Sequence, residues 1–167
     1  MLLLLLEEIA DLCTQRKNMY CTYYLEIINN FINYKTMIFA PICHGELADK
    51  LTILKIKMEK MTDLKKLENV TKEYNLLLPF LHKIGLSEDH ELFQKLYAIN
   101  LEFWEYHDWQ REKWRNLVDE NLIDIELFKK NRDEHILNDN RARVKKEINV
   151  LTNSEIVEEK QFISYNI

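Results

Sequence analysis

The chain has 167 residues, enough for one domain with a hydrophobic core, yet it holds only 2 Gly and 2 Pro. Strand-rich folds need many tight turns built from Gly, Pro and Asn-Gly, so this composition excludes a β architecture and predicts an all-α fold of a few long helices. Lys and Arg number 23 against 28 Asp and Glu, a net charge of −5 that excludes bulk attraction for DNA or RNA.

Met1 to Leu6 opens the chain with five leucines, followed at once by Glu7 and Glu8. No basic residue precedes the run, and it is far shorter than the ~20 apolar residues of a membrane helix, so a short amphipathic helix and no membrane contact are expected. The 3 cysteines, Cys13, Cys21 and Cys43, lack CxxC spacing, which fits reduced thiols and a cytoplasmic location.

From Gly45, Leu47, Leu51, Leu54, Met58 and Met61 recur at alternating steps of four and three, the stripe of an amphipathic helix. Ile53 and Ile56 widen the stripe towards a second neighbour, and Glu46 with Lys50 forms an i,i+4 pair. Thr62-Asp63 supplies caps for a second helix through Leu67, Val70, Tyr74, Leu77 and Leu81, which Pro79 should kink or end. So short a connection makes the two an antiparallel helical hairpin.

Gly85 closes that unit, and Ser87 with Glu88 and Asp89 opens a long aromatic-rich helix to about Val118. One of its stripes is Leu92, Leu96, Ile99 and Phe103; a second is Phe93, Tyr97, Asn100, Trp104, His107, Arg111 and Trp114, with Tyr106 and Trp109 added. A helix so surrounded by rings is central in a bundle or buried against a partner subunit. Asp124 begins a helix through Ile125, Phe128, Arg132 and Ile136. Leu137-Asn138-Asp139 reads as an interruption, after which a further helix runs to about Asn149. Ser154 then caps a final turn bearing Glu155, Glu158 and Glu159. The whole is a single-domain helical bundle with a broken C-terminal pair.

Several segments together resemble an uncharacterised family of small bacterial and phage proteins. Its opening GELxDKxTILxIK helix is matched by Gly45-Glu46-Leu47, Asp49-Lys50 and Thr52-Ile53-Leu54. Its Asn- and Trp-containing helix with a later Asp and Arg fits Asn100, Trp104, Asp108 and Arg111. Its closing NDxRAxxK and VEEK motifs fit Asn138-Asp139, Arg141-Ala142, Lys145 and Val157 to Lys160. Two departures stand out: the family's Ser-x-Gly before the first helix is Cys43-His44-Gly45 here, and its acidic pair in the Trp helix is His107-Asp108. The resemblance covers residue 37 to the end and implies no function. Members begin just before the GEL helix, as Met37 would. Residues 1–36 therefore read as an extension, accessory or from a mis-assigned start, and 37–167 as the helical domain.

The polar candidates for a site are Glu46, Asp49, Lys50, Asn100, Trp104, Asp108, Arg111, Asn138, Arg141 and Lys145. Carboxylates gathered with Arg and Lys bind a small anionic ligand or form an internal ion-pair network, with Arg141 and Lys145 drawn to Glu158 and Glu159. Glu88-x-x-Glu91 and Glu105-x-x-Asp108 have the form of a Mg²⁺ site in all-α nucleotide pyrophosphohydrolases, although both pairs fall on one helix. Otherwise no cofactor and no metal is expected, since the five histidines show no HxxxH spacing. The run Arg141 to Lys146 has no aromatics between its charges, so no nucleic acid is expected. Taken together, the residues favour a non-enzymatic interaction or assembly protein that self-associates as a homo-oligomer through a helical face. The alternative is a binder of small anionic ligands, or a Mg-dependent nucleotide-processing enzyme, using the cluster around Asp108 and Arg141.

Overall fold

The computed structural model describes residues 38, 40–116 and 124–161. By its contacts the chain divides into a segment Met1–Pro41 and a unit Ile42–Ile167, and the fold below is that of the second unit. The short helix expected at Met1 to Leu6, the extension 1–36, Cys13, Cys21 and the helix end at Val118 lie outside the described residues.

Four helices carry the described part of the unit: α1 His44–Lys60, α2 Leu64–Lys83, α3 Glu91–Asn116 and α4 Ile125–Leu151. The described residues contain no strand, so the all-α bundle expected from the composition is what forms. The central position belongs to α1 rather than to the aromatic α3, because α1 packs against all three of the others. Its predicted stripe is buried at Leu47, Leu51 and Leu54, joined by Ala48. Around them close Tyr74 and Leu81 of α2, Leu86 before α3, Phe93 and Leu96 of α3, and Val144 and Ile148 of α4.

The hairpin of α1 and α2 forms as expected. Asp63 caps α2 by accepting from the backbone N–H groups of Lys65 at 3.1 Å and Lys66 at 3.2 Å. Those donors, the Lys66 N–H foremost, hold its carboxyl below the ordinary range. Pro79 does not end α2, which runs one more turn to Lys83. Leu81 is completely buried in the core and holds that turn, while Pro79 itself sits on the exposed side. Gly85, at φ 78°, then closes the helix: its N–H donates to His82 O at 3.0 Å and the Leu86 N–H to Leu81 O at 3.2 Å.

Residues 87–90 form a turn, so α3 begins at Glu91 rather than at Ser87. The Glu88 side chain is drawn back across the hairpin, accepting from Lys55 Nζ at 2.8 Å and Tyr74 Oη at 2.5 Å. Asp124 caps α4 through the Leu127 N–H at 3.0 Å. The expected interruption at Leu137-Asn138-Asp139 is absent, and α4 is one continuous helix of 27 residues. Asp139 does not cap because its buried carboxylate is engaged elsewhere, by Lys160 Nζ at 2.8 Å. The final turn after Ser154 does not form either. The Ser154 Oγ accepts from the His44 N–H at 3.1 Å and donates to Ile156 O at 2.7 Å, and residues 154–161 return along α4 as a non-helical strap.

Candidate functional site

The most buried charged residue among those described is Asp49, on the inner side of α1 and only 4% exposed. Buried carboxylates persist when they are paired and fully hydrogen-bonded, and Asp49 is both. Arg141 of α4 grips it with two parallel bonds, Nε to Oδ1 at 2.7 Å and Nη2 to Oδ2 at 2.5 Å. Asn100 of α3 donates its Nδ2 to Asp49 Oδ1 at 2.9 Å and to Thr52 Oγ1 at 2.7 Å, and Thr52 donates to the Asp49 backbone carbonyl at 2.7 Å. Three helices are thus pinned at one carboxylate. The same carboxylate raises the affinity of the Arg141 guanidinium for its proton, against the opposing effect of burial.

One turn further along α4, Lys145 is buried and its ammonium sits between Glu46 of α1 and Glu158 of the strap, the latter at 2.5 Å. Burial disfavours that ammonium, but the two carboxylates outweigh it and hold the group above its ordinary value. Lys145 in turn holds the Glu158 carboxyl below the usual range. Lys146 pairs with Glu159 at 2.8 Å. Here α1 and α4 touch backbone to backbone: a Cβ on Gly45 would stand 2.5 Å from the Lys145 carbonyl oxygen. The Gly45 N–H donates to Asn149 Oδ1 at 2.6 Å.

Beside the buried network opens a cleft of about 310 Å³ between α1, α3 and α4. Ile53 and Ile56 give it an apolar floor on α1. Asn100, Phe103, Trp104 and His107 line it from α3, at the three- and four-residue steps of one helix face. Glu134, Asn138 and Arg141 line it from α4 at steps of four and three. Across the cleft His107 Nε2 lies 3.4 Å from Glu134 Oε1. Arg141 lies over the Phe103 ring at 5.7 Å. A guanidinium has five N–H groups in a rigid fork, so the two given to Asp49 leave three more, two on Nη1 and one on Nη2.

The ten candidates of the sequence therefore separate. Asp49, Asn100 and Arg141 converge in the buried network, and Asn100, Trp104, Asn138 and Arg141 share the cleft. Glu46 and Lys145 belong to the strap contacts. Lys50 is directed to α2, where it pairs with Glu73 at 2.8 Å, so the i,i+4 pair with Glu46 is not made. Asp108 and Arg111 pair with each other at 2.8 Å on an exposed face of α3 and do not line the cleft. Of the two basic residues expected to meet the acidic tail, Lys145 does and Arg141 goes to Asp49.

The residues of the alternative Mg²⁺ motif are also spread out. Glu88 is bound to Lys55 and Tyr74, and Glu105 to Lys60 at 3.4 Å. Glu91 and Asp108 stand on one helix, about 25 Å apart at 1.5 Å per residue. Among the described residues no three His, Cys, Asp or Glu side chains gather closely enough to hold a metal ion. Thr52, Phe103, His107, Glu134 and Asn149 are the contributors that sequence reasoning passed over.

Residues 38–166 match the model of a family of unknown function (DUF6165), and the chain belongs to that family. No curated protein and no solved structure matches it.

Proposed function

We propose that this DUF6165 member is a small-molecule-binding protein whose ligand presents a carboxylate or similar anionic group to Arg141 in the α1/α3/α4 cleft. The observation that carries the reading is the double use of that guanidinium. One edge is fixed by Asp49, so the side chain is held in place before any ligand arrives, and the same residue lines a cavity beside Phe103 and Trp104. A volume of about 310 Å³ suits a single-ring molecule, and the mix of apolar walls with a few convergent polar groups is that of ordinary ligand sites.

The test is one of location. Benzoate and L-phenylalanine, each carrying one carboxylate and one ring, are titrated to about 10 mM, a range that covers millimolar affinity. The Trp104 indole N–H and the Asn100 and Asn138 side-chain amide resonances are followed by NMR. The expected result is saturable movement of these signals with at least one probe, lost in Trp104→Ala. No saturable movement with either probe overturns the reading.

A second reading, self-association through a helical face, is supported by the α3–α4 junction, where Trp114, Ile125 and Phe128 are 54%, 64% and 72% exposed. On this reading light scattering at about tens of micromolar, a concentration scale set by affinity arithmetic, is expected to show a homo-oligomer for the wild type and a monomer for Phe128→Ser. A monomeric wild type at that concentration ends it.

A further inference from the structure

The binding reading leaves the ligand's other charges open, and the charges of the cleft settle which class they favour. Arg141 is already balanced by Asp49 beneath it. Glu134 adds a carboxylate on the same face of α4, two helical turns away, with His107 Nε2 3.4 Å from its Oε1. Arg141, Asp49 and Glu134 together carry one formal negative charge. A ligand bearing only an anion would leave Glu134 uncompensated in a partly desolvated site, which is costly. A ligand bearing only a cation would leave the three remaining Arg141 N–H groups without an acceptor.

We infer that the cleft takes a zwitterion with an apolar body: a small amino-carboxylic acid, its carboxylate on Arg141, its ammonium on Glu134. The inference rests on the binding reading above. Glu134 and Arg141 are seven residues apart on one helix, about 10 Å along the axis, and both line the cleft; an ammonium and a carboxylate about 3 Å apart, each with one hydrogen bond of about 3 Å, span most of that distance. The Asn138 amide, donor and acceptor at once, serves either end of such a molecule. Ile53, Ile56, Phe103 and Trp104 meet the apolar body on the other side. His107 bonds one Glu134 oxygen, leaving the other for an ammonium.

Three forms of one molecule separate the charges: L-phenylalanine, N-acetyl-L-phenylalanine, which lacks the ammonium, and L-phenylalanine amide, which lacks the carboxylate. Benzoate is the simple anion. Calorimetric titration of the full chain is expected to give L-phenylalanine an affinity about tenfold above either blocked form and above benzoate, the scale of one lost charge-assisted bond. In Glu134→Gln, which keeps the shape and the bond to His107, the free and N-acetylated forms should bind within about threefold of one another. Binding of benzoate or N-acetyl-L-phenylalanine as tight as that of L-phenylalanine leaves the cleft a ligand site and overturns the zwitterion. An unchanged preference in Glu134→Gln overturns it too. Binding of none of the four removes both readings together.

Discussion

Replacing Asp49 by Ala removes the acceptor of both Arg141 bonds and of one Asn100 bond, in a position 4% exposed. The cost lies less in the lost contacts than in the cation left behind. One-sided removal of a buried ion pair typically destabilises by about 3–5 kcal/mol. The Arg141 side chain retains 27% exposure, so water can reach part of the orphaned guanidinium and the lower end, about 3 kcal/mol, is expected. With a urea m-value of about 1.5 kcal/mol/M, the unfolding midpoint falls by about 2 M with the slope unchanged. The double variant Asp49→Ala, Arg141→Met carries no orphan charge, so it should recover at least half of the loss despite having lost one more native side chain. A loss below about 1 kcal/mol for the single variant, or a double variant no more stable than the single, would refute the assignment of Asp49 as the buried anchor.

Two further substitutions probe the other end of the α1–α4 contact. Gly45→Ala gains about 1 kcal/mol of helix propensity, yet its Cβ meets the Lys145 carbonyl oxygen at 2.5 Å and two more backbone atoms at 3.0 Å, none able to rotate away. The helices must separate, at an overpacking cost of up to about 3 kcal/mol, so a net loss of about 1–2 kcal/mol and a Tm lower by about 5 °C are expected; an Ala variant as stable as wild type contradicts the contact. Glu158→Gln tests the strap. The folded Glu158 carboxyl titrates below its ordinary value of 4.5, so its contribution is complete above that pH and is lost as pH falls through the lower folded value. Urea melts at a series of pH values should show a shallower acid-side decline in the variant, with at most about 1 kcal/mol lost at pH 7 because Glu158 is half exposed. Superimposable pH profiles would place Glu158 outside the folding equilibrium.

What the sequence disclosed followed from period and punctuation. The Leu47–Leu54 and Leu67–Leu81 stripes named the faces that pack, and Asp63 and Asp124 named the residues that cap, because both signals are local. The misreadings were local signals overridden by distant partners. Asn138-Asp139 looks like a cap in isolation, and only Lys160, far along the chain, shows why Asp139 sits mid-helix. That expected break hid the place of Glu134 beside Asn138 and Arg141. A break at 137–139 resets the helical phase, so Glu134, Asn138 and Arg141 no longer fall on one face. Read through as an unbroken helix, their four-and-three spacing was visible all along. The sequence placed α1 against two neighbours through Ile53 and Ile56; its third contact runs partly through polar groups, Asp49 and Thr52, to which Arg141 and Asn100 are brought.

Arg141 shows why fold and site cannot be separated at this cleft. Its planar fork offers two usable edges at once, and a lysine offers none: Arg141→Lys would keep the charge near Asp49 but could neither hold the carboxylate by two parallel bonds nor present a second fixed edge to the cavity. Stability and ligand affinity should therefore fall together when Arg141 changes. They should separate at Glu134, which lines the cavity but takes no part in the Asp49 network. Arg141 lines a 310 Å³ space walled by Phe103 and Trp104, with the Glu134 carboxylate two turns away on the same helix. On the binding reading, the neighbouring rings and Glu134 are what add a ligand role to this structural ion pair.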